Sequence, residues 1–162
     1  MGLFGSGYRQ WLARQAQAAG WTGSDGPTPA GGGTPVLQRV QGPPRCVQSY
    51  RNADLLDYSK MIYKKGTQST RDHIISRHLS GLPGASQYTT SGGFNAVRRT
   101  NRHTYVRGVQ RYNPTRGSVE FDLTVPGAPY LITGRDPNGN PTYSNRLVVA
   151  PDCRTVITSY PR

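Results

Sequence analysis

Two histidines, His73 and His78, stand five positions apart in an interval that contains no carboxylate: nothing acidic occurs between Asp72 and Glu120. The third histidine, His103, falls in the same interval, with Arg77, Arg98, Arg99, Arg102, Arg107, Arg111 and Arg116. Tyr88, Phe94, Tyr105 and Tyr112 are interleaved among them. Imidazole exchanges protons near neutral pH, so it suits general acid and general base roles. Guanidinium grips phosphate through paired donors, and aromatic faces stack bases. Metal-free cleavage of RNA needs these parts. A base takes the 2′-hydroxyl proton, that oxygen attacks the adjacent phosphorus, an acid protonates the leaving 5′-oxygen, and a cation or hydroxyl steadies the charged phosphorane. The RNA carries its own nucleophile, so no Ser or Cys nucleophile is required.

Metal chelation by the pair is disfavoured. On a helix, five positions turn the chain by about 500°, which leaves the two rings about 140° apart. A shared metal prefers an i, i+4 pair on one face. Acidic co-ligands are absent nearby, so no metal and no cofactor is expected. The same geometry predicts that one ring faces a cleft while the other packs or caps. Candidates for RNA contact outside the pair are Arg98, Arg99, Arg102, Arg107 and Tyr88. A basic run does not by itself separate an enzyme from a binder. The alternative reading is therefore a non-catalytic RNA- or DNA-binding protein. Glu120, the sole glutamate, keeps an ADP-ribosyltransferase toxin as a more distant one.

The elements that must position these groups divide the chain in two. Residues 1–44 read as a helix from Ser6 to Ala19 followed by a linker rich in Gly, Pro, Thr and Ser, with too few apolar groups to offset ordering entropy. Residues 45–162 read as the compact domain. There Asn52 is expected to cap a helix running to about Lys65 with Gly66 as its stop. A further helix spans about Thr70 to Ser80, with Asp72 in its first turn, and another spans about Ser91 to Thr104. From Gly117 the period changes to two. Ser118–Val125 alternates, with Val119, Phe121, Leu123 and Val125 on one face. Pro129–Thr133, Arg146–Ala150 and Thr155–Tyr160 follow as strands. Asp136-Pro137-Asn138-Gly139-Asn140-Pro141 is hairpin-turn chemistry, and Asp152 marks another turn. The predicted fold class is α+β, helices first and then an antiparallel sheet of about four strands.

Composition bounds the partners. Twenty Lys and Arg against eight acids give a net charge of +12, and all the basic residues but Lys60, Lys64 and Lys65 are arginine. Such a balance points to a polyanion. No apolar run approaches the roughly 18 residues of a membrane span, so no stable membrane insertion is expected. Nor does the N-terminus carry a signal-peptide apolar segment. Cys46 and Cys153 permit one disulfide or two free thiols, and the sequence does not choose between them.

Three stretches, in order, carry a resemblance: His73-Ile74-Ile75-Ser76-Arg77-His78-Leu79, then Ala85-Ser86-Gln87-Tyr88-Thr89, then Thr155-Val156-Ile157-Thr158-Ser159-Tyr160-Pro161. From Asp72 to Arg162 the chain resembles the ribonuclease A-like toxin domain of bacterial contact-dependent inhibition and other polymorphic toxin systems. The resemblance implies a metal-independent endoribonuclease acting on RNA, tRNA included, and an acidic immunity protein that blocks the site. It further implies a monomer that is secreted or delivered into the target-cell cytoplasm. The family's catalytic roles map onto a histidine of the His73/His78 pair, Thr158 and Tyr160. The arginine of its helical half maps onto Arg77 or Arg99, because the segment after the second histidine is shortened here to Leu79-Ser80-Gly81-Leu82-Pro83-Gly84.

Overall fold

The computed structural model describes residues 44–124 and 134–162. The expected helix Ser6–Ala19, the linker and the strand Pro129–Thr133 lie outside the described residues. The domain is α+β, as its periodicity predicts. Its chain order is α1 (Tyr50–Ala53), a 3₁₀ turn (Lys64–Gly66), α2 (Thr70–His78), β1 (Gln87–Tyr88), α3 (Gly93–Arg107), β2 (Val109–Asn113), β3 (Ser118–Thr124), β4 (Gly134–Arg135), β5 (Pro141–Thr142), β6 (Ser144–Val149) and β7 (Val156–Pro161). Strands β2-β3-β6-β7 form an antiparallel four-stranded sheet, and β1-β4-β5 form a smaller antiparallel one.

The hydrophobic core lies where α3 crosses the larger sheet. Val119 and Phe121 of β3 and Leu147 and Val149 of β6 are buried against Ala96, Val97 and Tyr105 of α3. These are the inward positions that the period-two pattern selects. Buried polar groups are threaded through this interface and bonded to each other. Asn101 donates to the Tyr58 hydroxyl and Ser159 Oγ. Asn145 donates to Asn101 Oδ1 and Thr104 Oγ1, and the Tyr88 hydroxyl donates to Asn145 Oδ1 and lies 3.0 Å from Ser159 Oγ. A buried polar group is tolerated when its partners are present, as they are here.

The expected helix from Asn52 to Lys65 does not form. Ser49, not Asn52, caps a single turn that ends at Ala53, and only a 3₁₀ turn follows at Lys64–Gly66. The backbone between them is claimed by the sheet edge. Asp57 N–H donates to the Arg154 carbonyl and Val156 N–H donates to the Asp57 carbonyl, which seals β7 on its outer side. The Asp57 carboxylate accepts from the Ser59 backbone and hydroxyl, a local bond that competes with helix. Helix α3 runs three residues past its expected end and stops at Gly108, where a Cβ would collide with the Thr104 and Asp122 carbonyls. Strand β2, not anticipated, follows at once.

Strand β7 is an edge strand, and the segment from Tyr58 to Thr70 covers it. The Thr70 hydroxyl donates to the Val156 carbonyl and the Tyr63 hydroxyl donates to the Ile157 carbonyl. One residue is extra within β7: Val149 pairs with Val156 while Val148 pairs with Thr158, which leaves Ile157 as a bulge. The bulge resets the alternation. Thr158 and Tyr160 thereby share a sheet face with Val148 and Arg146, their cross-strand partners. The smaller sheet crosses this end of β7 at Gly134, where any side chain would meet the Gln87 carbonyl and the Pro161 ring. Its β4–β5 hairpin turns through Asp136–Asn140, closed by Asp136 N–H to the Asn140 carbonyl, as the Asn-Gly pair predicts.

Candidate active site

Helix α2 starts because Ser69 accepts a bond from Asp72 N–H and Asp72 sits in the first turn. Its apolar anchor is Ile74, fully buried. It ends on His78, whose side chain is held by the chain that returns beneath it. His78 Nδ1 lies 2.8 Å from the Ser86 carbonyl oxygen. A carbonyl only accepts, so Nδ1 carries the proton and Nε2 keeps its lone pair. The Gln87 side chain secures this return. It donates to the carbonyls of Arg77, Leu82 and Ala85 and accepts from Gly81 N–H. The Ala85-Ser86-Gln87-Tyr88 motif therefore clamps the C-terminus of α2.

Four aromatic rings line up across the site. Tyr63 stacks on His73 with centroids 3.9 Å apart and planes 4° apart. His73 meets His78 edge to face at 5.7 Å, and His78 stacks on Tyr160 at 5.5 Å. Both histidine rings border one cleft of about 260 Å³, with Arg77, Gly84, Ala85, Ser86, Pro137, Thr158 and Tyr160. The expectation that only one ring faces the cleft is corrected. His78 is the last residue of α2, and the Ser86 clamp turns its ring toward His73, so the 140° of an ideal helix does not keep them apart. Both rings are nearly covered. Burial first, then the neighbouring His78, Arg77 and Lys64, pushes the His73 pKa down to about 3. Burial pushes His78 down to about 4, opposed by the Ser86 carbonyl and assisted by Arg77. Both imidazoles are uncharged at neutral pH.

The sequence-predicted site residues separate into two groups. His73, His78, Arg77, Thr158 and Tyr160 border the same cleft. Thr158 Oγ1 is buried with no hydrogen bond of good geometry. The Tyr63 phenol is close enough to this hydroxyl for a weak hydrogen bond that opposes the effect of burial on the phenol, and the phenol's own proton goes to the Ile157 carbonyl. Arg98, Arg99 and Arg102 border a different groove, with Asp54, Tyr58 and Asn95. Arg107 Nε donates to the Tyr50 hydroxyl at the far end of α3. Tyr88 is corrected outright. It is 6% exposed and its hydroxyl is committed to Asn145 and Ser159, so it has no face to offer a base.

Glu120 is also committed. It accepts from Arg111 at 2.5 Å and from Asn113 at 2.9 Å, with Arg146 at 3.6 Å. Burial raises its pKa, but these donors outweigh burial and hold it below the usual carboxylate range. It borders no part of the histidine cleft.

The roles of three residues at the cleft went unread in the sequence. Tyr63 lies in a stretch whose composition suggested helix, and nothing local marks it as the support of His73. Ser86 stands in a stretch that the resemblance singles out, but its role is carried mainly by a backbone carbonyl, which its residue type does not announce. Pro137 does have one, since it sits in the predicted hairpin turn, but nothing ties that turn to the histidines until the two sheets are seen together. Among the described residues, no group of three His, Cys, Asp or Glu side chains is arranged to hold a metal, and no helix is long and apolar enough to cross a membrane. Compared with known proteins, the chain matches no family model, no curated protein and no solved structure.

Proposed function

We propose that the chain is an endoribonuclease that cleaves RNA by 2′-hydroxyl transesterification in the His73–His78–Tyr160 cleft. The observation that carries this reading is the convergence of imidazoles from α2 and hydroxyl groups from β7 on one cleft bordered by an arginine. His78 is the base: its Nδ1 proton is fixed on the Ser86 carbonyl, so Nε2 is free to take the 2′-proton. With both histidines neutral at physiological pH, the proton for the leaving oxygen comes from the Tyr160 hydroxyl, whose ring stacks on His78 at the same cleft. Arg77 counters the phosphorane charge, and Thr158 brings a hydroxyl that no hydrogen bond of good geometry ties down. His73, pinned by Tyr63, is a positioning residue that fixes the edge of His78.

The net charge of +12 supports a polyanionic substrate and an acidic immunity protein as inhibitor. The Cys46–Cys153 disulfide supports passage through an oxidising space before arrival in a target cell. The test is cleavage of tRNA and of a dinucleoside monophosphate with EDTA present. His78→Ala and Tyr160→Phe are each expected to lose at least about 10²-fold in kcat, the usual weight of a general base or acid, with a 2′,3′-cyclic phosphate as the native product. Full-rate cleavage by the His78→Ala chain would sink the assignment.

A further inference from the structure

On the opposite flank of α2 lies a second groove that the cleft chemistry does not use. Its walls are α3 and the segment that runs on from the end of α1, with Asp54, Leu56, Tyr58, Asn95, Arg98, Arg99 and Arg102 at one end and Asp57, Phe94 and, from α2, Arg71 and Asp72 at the other. Three guanidinium groups are laid over rings along it: Arg102 over Tyr50 at 4.4 Å, Arg98 over Tyr58 at 6.0 Å and Arg71 over Phe94 at 5.3 Å. Tyr58 and Phe94 themselves meet edge to face at 5.1 Å, so the floor is rigid. A guanidinium held over a ring face is positioned by it without using up its N–H donors, which stay available to phosphate.

The carboxylates of the groove are answered from within the protein. Asp54 pairs with Arg102 at 2.7 Å, Asp57 accepts from Ser59 and faces Lys60, and Asp72 lies 3.5 Å from Arg71. Arg98 and Arg99 are exposed and pair with no carboxylate among the described residues. The surplus charge of the groove therefore sits on these two neighbours. Helix α2 joins the groove to the cleft, because Arg71 and Asp72 of its first turn line the one while His73, Arg77 and His78 line the other.

We infer that the α1–α3 groove is a second phosphate-binding site, in which Arg98 and Arg99 grip the backbone of an RNA strand whose scissile phosphate lies across α2 in the histidine cleft. The occupant is a single-stranded RNA segment rather than a protein, because its charge matches the pair and the same polyanion already reaches the other side of α2. The site deepens the ribonuclease reading and makes the enzyme favour substrates longer than a dinucleotide.

The test uses the full chain and an RNA oligonucleotide of about 30 nucleotides. Binding is measured in a His78→Ala background, so that it does not depend on turnover. Arg98→Glu with Arg99→Glu is expected to weaken binding about tenfold or more at low salt and to cut the slope of log affinity against log salt by about two. Arg98→Gln with Arg99→Gln should do the same to a lesser extent and guards against a charge-reversed pair that unfolds. In the His78-containing chain, cleavage of the oligonucleotide should suffer in KM while cleavage of a dinucleoside monophosphate stays within about twofold. Unchanged affinity and salt slope in both pairs overturn the groove. So does a pair that keeps RNA affinity but loses an acidic protein partner. If neither substrate is cleaved by the native chain, the catalytic reading falls while the binding arm still decides this one.

Discussion

At the scale of single residues, the two buried imidazoles make the fold sensitive to acid in a definite direction. An unfolded histidine titrates near 6.5, whereas folded His73 and His78 take up protons only near pH 3 and pH 4. Between those limits the unfolded chain binds protons that the native chain refuses, so stability falls as pH falls. It is fully present above about pH 6.5 and declines below it. From pH 7 to pH 5 each ring should cost about 1–2 kcal/mol, before most carboxylates begin to titrate. Thermal melts across that range are expected to drop by several degrees. The variant His73→Phe keeps the stack on Tyr63, loses the titration, and should show a shallower drop. A Tm that stays level from pH 7 to pH 5 in the native chain would mean that the rings are not held neutral by burial. None of this was legible in the residues, because spacing reports neither the Ser86 clamp nor the Tyr63 stack that covers the rings. What the residues did report was that both histidines stand in an arginine-rich interval that runs to Glu120 without a carboxylate, which is a compositional fact.

At the scale of elements, the link between α3 and the sheet is half apolar and half polar, and the polar half sets a measurable cost. Asn101 bridges Tyr58 and Ser159 and accepts from Asn145. Asn101→Ala should destabilise the domain by about 2–4 kcal/mol, since each partner left unbonded in the interior costs about 1–3 kcal/mol and some of them retain a second bond. Tyr88→Phe removes one donor and should cost about 1–2 kcal/mol, while its KM for RNA stays at the native value. Urea unfolding alongside RNA cleavage kinetics separates the two effects, and a large KM change without a stability change would return Tyr88 to the RNA surface. The strands β3, β6 and β7 were readable because apolar and β-branched residues such as Val119, Phe121, Leu147 and Val149 mark them, and α2 was readable from its ends, with Asp72 in the first turn and Gly81 beyond the last. The long helix expected after Asn52 was not, for a tertiary reason: the backbone of Asp57 and the side chain of Tyr63 are worth more as cover for the β7 edge than as helix. The aromatic character of Tyr88 was read correctly but its direction was not, because interleaving with arginine says nothing of which face a ring takes.

At the scale of the whole molecule, one covalent bond joins the start of the described domain to the turn that feeds β7. Cys46 and Cys153 are disulfide-bonded, with Cα atoms 5.6 Å apart and 107 positions between them in sequence. The turn from Pro151 to Thr155 is otherwise held by Asp152, which accepts from the backbones of Arg154 and Thr155 and from the Thr155 hydroxyl. Cys153 takes a left-handed backbone at φ 61° inside it, a conformation that a side chain adopts only when its surroundings require it. Closing a loop of this length restricts the unfolded chain strongly, so reduction is expected to cost about 3–5 kcal/mol. The geometry of the histidine cleft does not depend on the bond itself, since Thr158 and Tyr160 are set by pairing with Val148 and Arg146 and by the cover of α2. Two consequences separate. In urea, the chain with Cys46→Ala and Cys153→Ala should unfold at clearly lower denaturant with a similar slope. Under the proposed function, the same chain should cleave RNA at close to the native kcat below its melting temperature. Loss of kcat in a variant that is still folded by circular dichroism would show instead that the disulfide positions β7, and that the cleft exists only in the oxidised protein.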